Sequence, residues 1–141
     1  PMPTIIRPFM SFVMLIAFSG MVNASPPTNL VGSWSCELGG DIFAFANFNQ
    51  DNTLATSSAL GNVSSAHGTW LRTGLTTFVS KDLAFIYDSG GAAEFIQTVE
   101  ADIAMSDNDN LTSTLEITIA DVDGVVVSTD SVPVSCTRTQ I

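Results

Sequence analysis

The sequence predicts an all-β fold: eight antiparallel strands closed into an up-and-down barrel behind an N-terminal signal helix. Three observations carry this. From residue 31 onward, apolar and polar residues alternate in short runs divided by Gly, Asn, Asp and Ser clusters, the pattern of strands buried on one face. The runs number eight and their connections are short, so neighbours pair as hairpins, and eight such strands close into a small barrel without a free edge. The only two cysteines, Cys36 and Cys136, lie in the first and last runs. If they pair, those two strands are neighbours, which a closed barrel satisfies and an open meander does not. A two-sheet β-sandwich is the alternative architecture.

The barrel is not expected to start with the chain. Arg7 precedes an apolar run over 9–22 that is too short for a spanning helix, and Val22-Asn23-Ala24 fits a small-residue cleavage site. Residues 1–24 therefore read as a secretory signal, 25–30 as a Pro-rich linker and 31–141 as a single domain. Processing would leave no stable membrane anchor and place the chain in a secreted or periplasmic location. Two cysteines in a small domain there are expected to pair. The enclosed loop of about 100 residues corresponds to roughly 4–5 kcal/mol in the chain-entropy view.

Taken in order, the first strand (31–38) places Trp34 and Cys36 on one face. Gly39-Gly40-Asp41 turns into the second (42–48), where Phe43 and Phe45 alternate with Ile42, Ala44 and Ala46. Asn49-Gln50-Asp51-Asn52 is a hairpin turn, and Asn52 is suited to a left-handed backbone. Strand 53–58 leads through a polar loop (59–66) to strand 67–72. Thr73-Gly74 opens the next, 76–87. Within it Lys81 and Asp82 are adjacent and point to opposite faces; Asp82 inward is favoured and carries Phe78, Ala84 and Ile86 with it, whereas Lys81 inward would carry Val79, Leu83, Phe85 and Tyr87. Asp88-Ser89-Gly90-Gly91 is the strongest turn. Strand 93–105 alternates Phe95, Gln97, Val99, Ala101, Ile103 and Met105 inward. After Ser106–Asn110, strand 111–120 turns Leu111, Leu115, Ile117 and Ile119 inward. The last, 125–138, is too long for one straight strand, and Pro133 cannot donate to a ladder, so a bulge or break is expected between Ser128 and Pro133. Position sums are constant along an antiparallel ladder, and the pairs 36/136 and 34/138 share one sum. Pairing of the cysteines therefore sets Trp34 opposite Arg138, within reach of a cation–π stack.

Gly32-Ser33-Trp34 in the first strand with Arg138 at the end of the last resembles the lipocalins and wider calycins. The resemblance implies that Trp34 packs on Arg138 at a closed base, a structural role for both. The chain is shorter than typical lipocalins and shows no helix after the last strand. Its middle, with Gly68-Thr69-Trp70 and Tyr87-Asp88-Ser89-Gly90-Gly91, resembles small exported bacterial proteins of no assigned activity, and is compatible with the barrels of the allene oxide cyclase and dirigent type.

Composition narrows the function. Without the signal, three basic residues (Arg72, Lys81, Arg138) face 14 acidic ones, a net charge of −11. That argues against nucleic acid and anionic membrane surfaces as partners. His67 is the only histidine and no free cysteine accompanies it, so no transition-metal site and no cofactor are expected. Asp107, Asp109, Asp121 and Asp123 read as turn chemistry and match no EF-hand loop. Asp82, Tyr87 and His67 are the candidate catalytic groups. Phe43, Phe45, Trp70, Phe78, Phe95 and Gln97 are the candidate ligand-binding residues. The leading function is binding of a small apolar or amphipathic molecule. The alternatives are a barrel cyclase or isomerase and a periplasmic interaction or inhibitor module acting through loop 59–66. The sequence sets no oligomeric state.

Overall fold

A computed structural model describes residues 28–139 of the protein. The expected signal over 1–24 lies outside the described residues. Eight strands follow one another: β1 (Gly32–Leu38), β2 (Ile42–Phe48), β3 (Thr53–Ser58), β4 (Ala66–Arg72), β5 (Thr77–Tyr87), β6 (Ala93–Met105), β7 (Asn110–Asp121) and β8 (Val126–Arg138). Each pairs antiparallel with its chain neighbours, and β8 closes on β1. The sheet is one closed barrel, not two packed sheets. The strand limits agree with the periodicity to within a residue because each turn cluster ends a run of alternation. Asn52 takes the left-handed backbone, with φ 68°.

Closure follows the expected register. Trp34 faces Arg138 and Cys36 faces Cys136, and the two cysteines form a disulfide. The bond suits an oxidising, extracytoplasmic compartment. The irregularity expected between Ser128 and Pro133 falls just before that interval. Ile119 faces Ser128 but Ala120 faces Val126, which leaves Val127 as the extra residue; from Ser128 to Thr137 the β7–β8 ladder is unbroken. Pro133 is tolerated because β1 ends its pairing one residue away, at Leu38 opposite Val134.

One end of the barrel is plugged. Leu30, Trp34 and Phe78 are fully buried there, with Phe48, Trp70, Met105 and Leu111 around them. Trp70 meets Phe48 and Phe78 edge-on, with centroids 6.1 and 5.9 Å apart. Both indole nitrogens are satisfied: Trp34 Nε1 donates to Leu30 O at 3.0 Å and Trp70 Nε1 to Asn49 O at 3.1 Å. The 25–30 stretch, read as a linker, is therefore fixed at its C-terminal end, because Leu30 is a plug residue.

Two arginines clamp that plug. Arg138 lies 4.4 Å over the Trp34 ring and donates to the carbonyls of Asn108, Val31 and Asn29 at 2.7, 2.8 and 2.6 Å. Arg72 lies 4.6 Å over the Phe78 ring and donates to Gly74 O, Leu75 O and Thr28 O. Gly32 takes a φ of +135°, and a Cβ there would stand 2.6 Å from Arg138 Nη1. The Gly-x-Trp triplet thus has a local cause: glycine makes room for the guanidinium that covers the tryptophan.

The walls differ in height. β1 to β4 have 6–7 residues, whereas β5 to β8 have 11–13. The surplus lies at the end opposite the plug and forms a tall half-wall around a mouth.

Candidate functional site

Inside the barrel, from the plug to the mouth, lies a cavity of about 430 Å³. This is within the range of about 300–1,000 Å³ found for small-molecule sites. Its wall is largely apolar, built from side chains such as Leu54, Val99, Leu115, Ile117 and Val132 together with the Cys36–Cys136 bridge. These residues point inward because each strand presents alternate side chains to the barrel axis. The loop between β3 and β4 covers part of the mouth. Val63 bridges Ile86, Ser64 N donates to Phe85 O at 2.9 Å, and Tyr87 N donates to Asn62 O at 2.8 Å. The loop thereby pairs with the upper part of β5, and Leu60 and Val63 join the cavity lining.

Asp82 is the charged group buried in this wall, 6% exposed. It sits between Gly68 of β4 and Val99 of β6. A Cβ on Gly68 would overlap the Lys81 carbonyl and come within 2.6 Å of Asp82 Cα, so only glycine lets β4 approach β5 here. Burial alone pushes the Asp82 carboxyl up to about 6. Lys81 points outward, as the alternation requires, and stands 3.8 Å from Glu100 with both side chains exposed. Gln97, opposite Ala84, faces inward one step from Asp82 toward the mouth. Ser58 Oγ and Ser113 Oγ also line the cavity, buried and without a hydrogen-bond partner.

The other sequence candidates separate. Phe43 and Phe45 are 55% and 60% exposed; they face outward, and Phe45 only borders the cavity at its rim. The cause is register. Cys36 faces Ala44 and Trp34 faces Ala46, and directly opposed residues share a face, so the alanines take the inside. That signal was present in the sequence, because the Gly39–Asp41 turn sets Leu38 opposite Ile42. Trp70 and Phe78 belong to the plug. Phe95 is half-buried toward the mouth and does not line the cavity. Tyr87 lies beside the outward Phe85, with ring centroids 6.5 Å apart, because residues two apart on a strand share a face and Asp82 and Ala84 take the inner one. His67 is exposed on the outer face opposite Leu83. Of the candidates, only Asp82 and Gln97 come together inside.

A second hollow of about 600 Å³ lies on the outside, lined by Glu37, Asp102, Thr112, Thr114 and Ser135 among others. It is surface relief over outward side chains and holds no buried charged group. The interior cavity is the candidate site. Comparison with models of known protein families finds no match for the chain, and comparison with curated proteins finds no relative.

Proposed function

We propose that this protein is an exported, calycin-like barrel that binds a small apolar or amphipathic molecule inside. One observation carries the reading: a cavity of about 430 Å³, plugged at one end and open at the other, with a mainly apolar wall. Burying a ligand's apolar surface there gains about 25 cal/mol per Å² before ordering costs. The disulfide and the expected signal support a secreted or periplasmic location, and the Arg138–Trp34 stack supports the calycin resemblance. The test uses a neutral naphthalene dye such as Prodan. Saturable one-site binding is expected, weakened by about tenfold or more when the wall is filled by Ala101→Trp or Val132→Phe. Binding that is absent, or indifferent to both fillings in variants that still melt cooperatively, overturns the reading.

A cyclase or isomerase is the second reading, favoured by Asp82. A carboxyl held near 6 within an apolar cavity suits proton transfer. Turnover abolished by Asp82→Asn in a folded protein would establish it.

A further inference from the structure

Asp82 has no partner among the described residues. No hydrogen-bond donor reaches its carboxylate, and no cation pairs with it: Arg72 and Arg138 are committed to the plug, while Lys81 and His67 face outward. A buried carboxylate without a counter-ion is costly in an apolar wall. Asp130, the other titratable group lining the cavity, is also acidic and sits exposed on β8 toward the mouth. Cys36 and Cys136 are joined and do not titrate. The cavity thus offers two carboxylates and no cation.

We propose, resting on the binding reading above, that the cavity is a site for an amphipathic organic amine, whose ammonium pairs with Asp82 and whose apolar body lies along Val99, Leu115 and Val132. An ammonium brings several N–H donors and no acceptor. The wall supplies matching acceptors in the Asp82 carboxylate, the Gln97 side-chain oxygen and the unpartnered Ser58 and Ser113 hydroxyls. An amphipathic anion would find two carboxylates and no cation in the lining, on a chain whose formal net charge is −10, which draws cations toward it and repels anions. Asp130 near the mouth is a first stop for an entering cation. Because burial raises the Asp82 carboxyl to about 6, the free site is protonated below that pH and would lose its attraction for an amine there. Around and below that pH the amine must out-compete a proton, so binding there is expected to drive proton release, whereas at pH 7.5 little is released.

The experiment is calorimetric titration of the whole protein with octylamine, octanol and octanoate. At pH 7.5 octylamine is expected to bind about tenfold or more tighter than octanol, with octanoate weakest. Octylamine affinity is expected to fall about tenfold per pH unit below 6, while octanol affinity does not fall. Asp82→Asn, nearly isosteric, should erase the preference for amine over alcohol while leaving octanol binding in place. The pH series on the unaltered protein tests the same point without a variant. If octanol and octylamine bind alike, if octanoate binds best, or if the amine preference survives in Asp82→Asn, the amine assignment is overturned and cavity binding stands. If none of the three binds, both readings fall together.

Discussion

At the residue scale, Asp82 combines a stability cost with the role proposed for it. Its carboxyl is raised from 3.8 to about 6 in the folded protein, so the folded state holds the proton more tightly than the unfolded one. Stability linked to this group is therefore greatest below about 4, declines between about 4 and 6, and levels off above. A shift of about two units corresponds to on the order of 3 kcal/mol. Asp82→Asn is expected to stabilise the protein by up to that amount at pH 7.5 and by almost nothing at pH 4. Urea unfolding at both values measures this, and an equal effect at the two would refute it. The inward placement of Asp82 was legible in the sequence, because adjacent charges in an alternating strand cannot share a face and one choice buried Phe78 and Ala84. Phe43 and Phe45 were misjudged by residue type, because large aromatic rings suggest an interior. The ladder overrode that suggestion, setting small alanines opposite Trp34 and Cys36.

At the element scale, the ends of the chain define the barrel's base. β1 and β8 share five residue pairs, one disulfide and one cation–π contact, and the segment before β1 folds under them as the plug. The closure was legible because two cysteines and one position sum determine it. The plug was not. Prolines at 26 and 27 mark a linker by composition, and nothing local reveals that Leu30 becomes fully buried beneath carbonyls held by Arg138 and Arg72. Arg138 acts as a clamp far from the mouth. Arg138→Ala is expected to cost on the order of 1–2 kcal/mol from the lost cation–π contact and stem packing. Amine and alcohol affinities should stay within about twofold of the unaltered values, a difference of only about 0.4 kcal/mol. Arg138→Lys should restore little, since an ammonium cannot make the forked contacts to Val31 O and Asn29 O. A large loss of affinity in a stable Arg138→Ala protein would show instead that the base communicates with the site.

At the scale of the whole molecule, unequal wall heights leave one stretch of sheet uncovered. The upper part of β5 is paired by the β3–β4 loop, but β1 stops at Leu38, and β8 from Val126 to Pro133 has no strand beyond it among the described residues. Beside this edge Val122, Val125, Val126 and Val127 are 54–60% exposed. An open, β-branched edge is a template for pairing with another copy. The bulge at Val127 twists it, and the acidic net charge keeps copies apart at neutral pH. Near pH 4, close to the chain's isoelectric point of about 4.1, the charge barrier vanishes. Asp82 is then largely protonated and adds its full share of stability, so association there would not come from unfolding at that group. Light scattering is expected to show monomer at pH 7.5 and concentration-dependent association near pH 4. Val126→Lys should suppress the association, because it places a charge on the open edge. Leu83→Lys should not, although Leu83 is 50% exposed, because β5 is paired there with His67 on one side and Thr98 on the other. A protein that stays monomeric near pH 4, or equal behaviour of the two variants, would show that the edge is already protected by its twist.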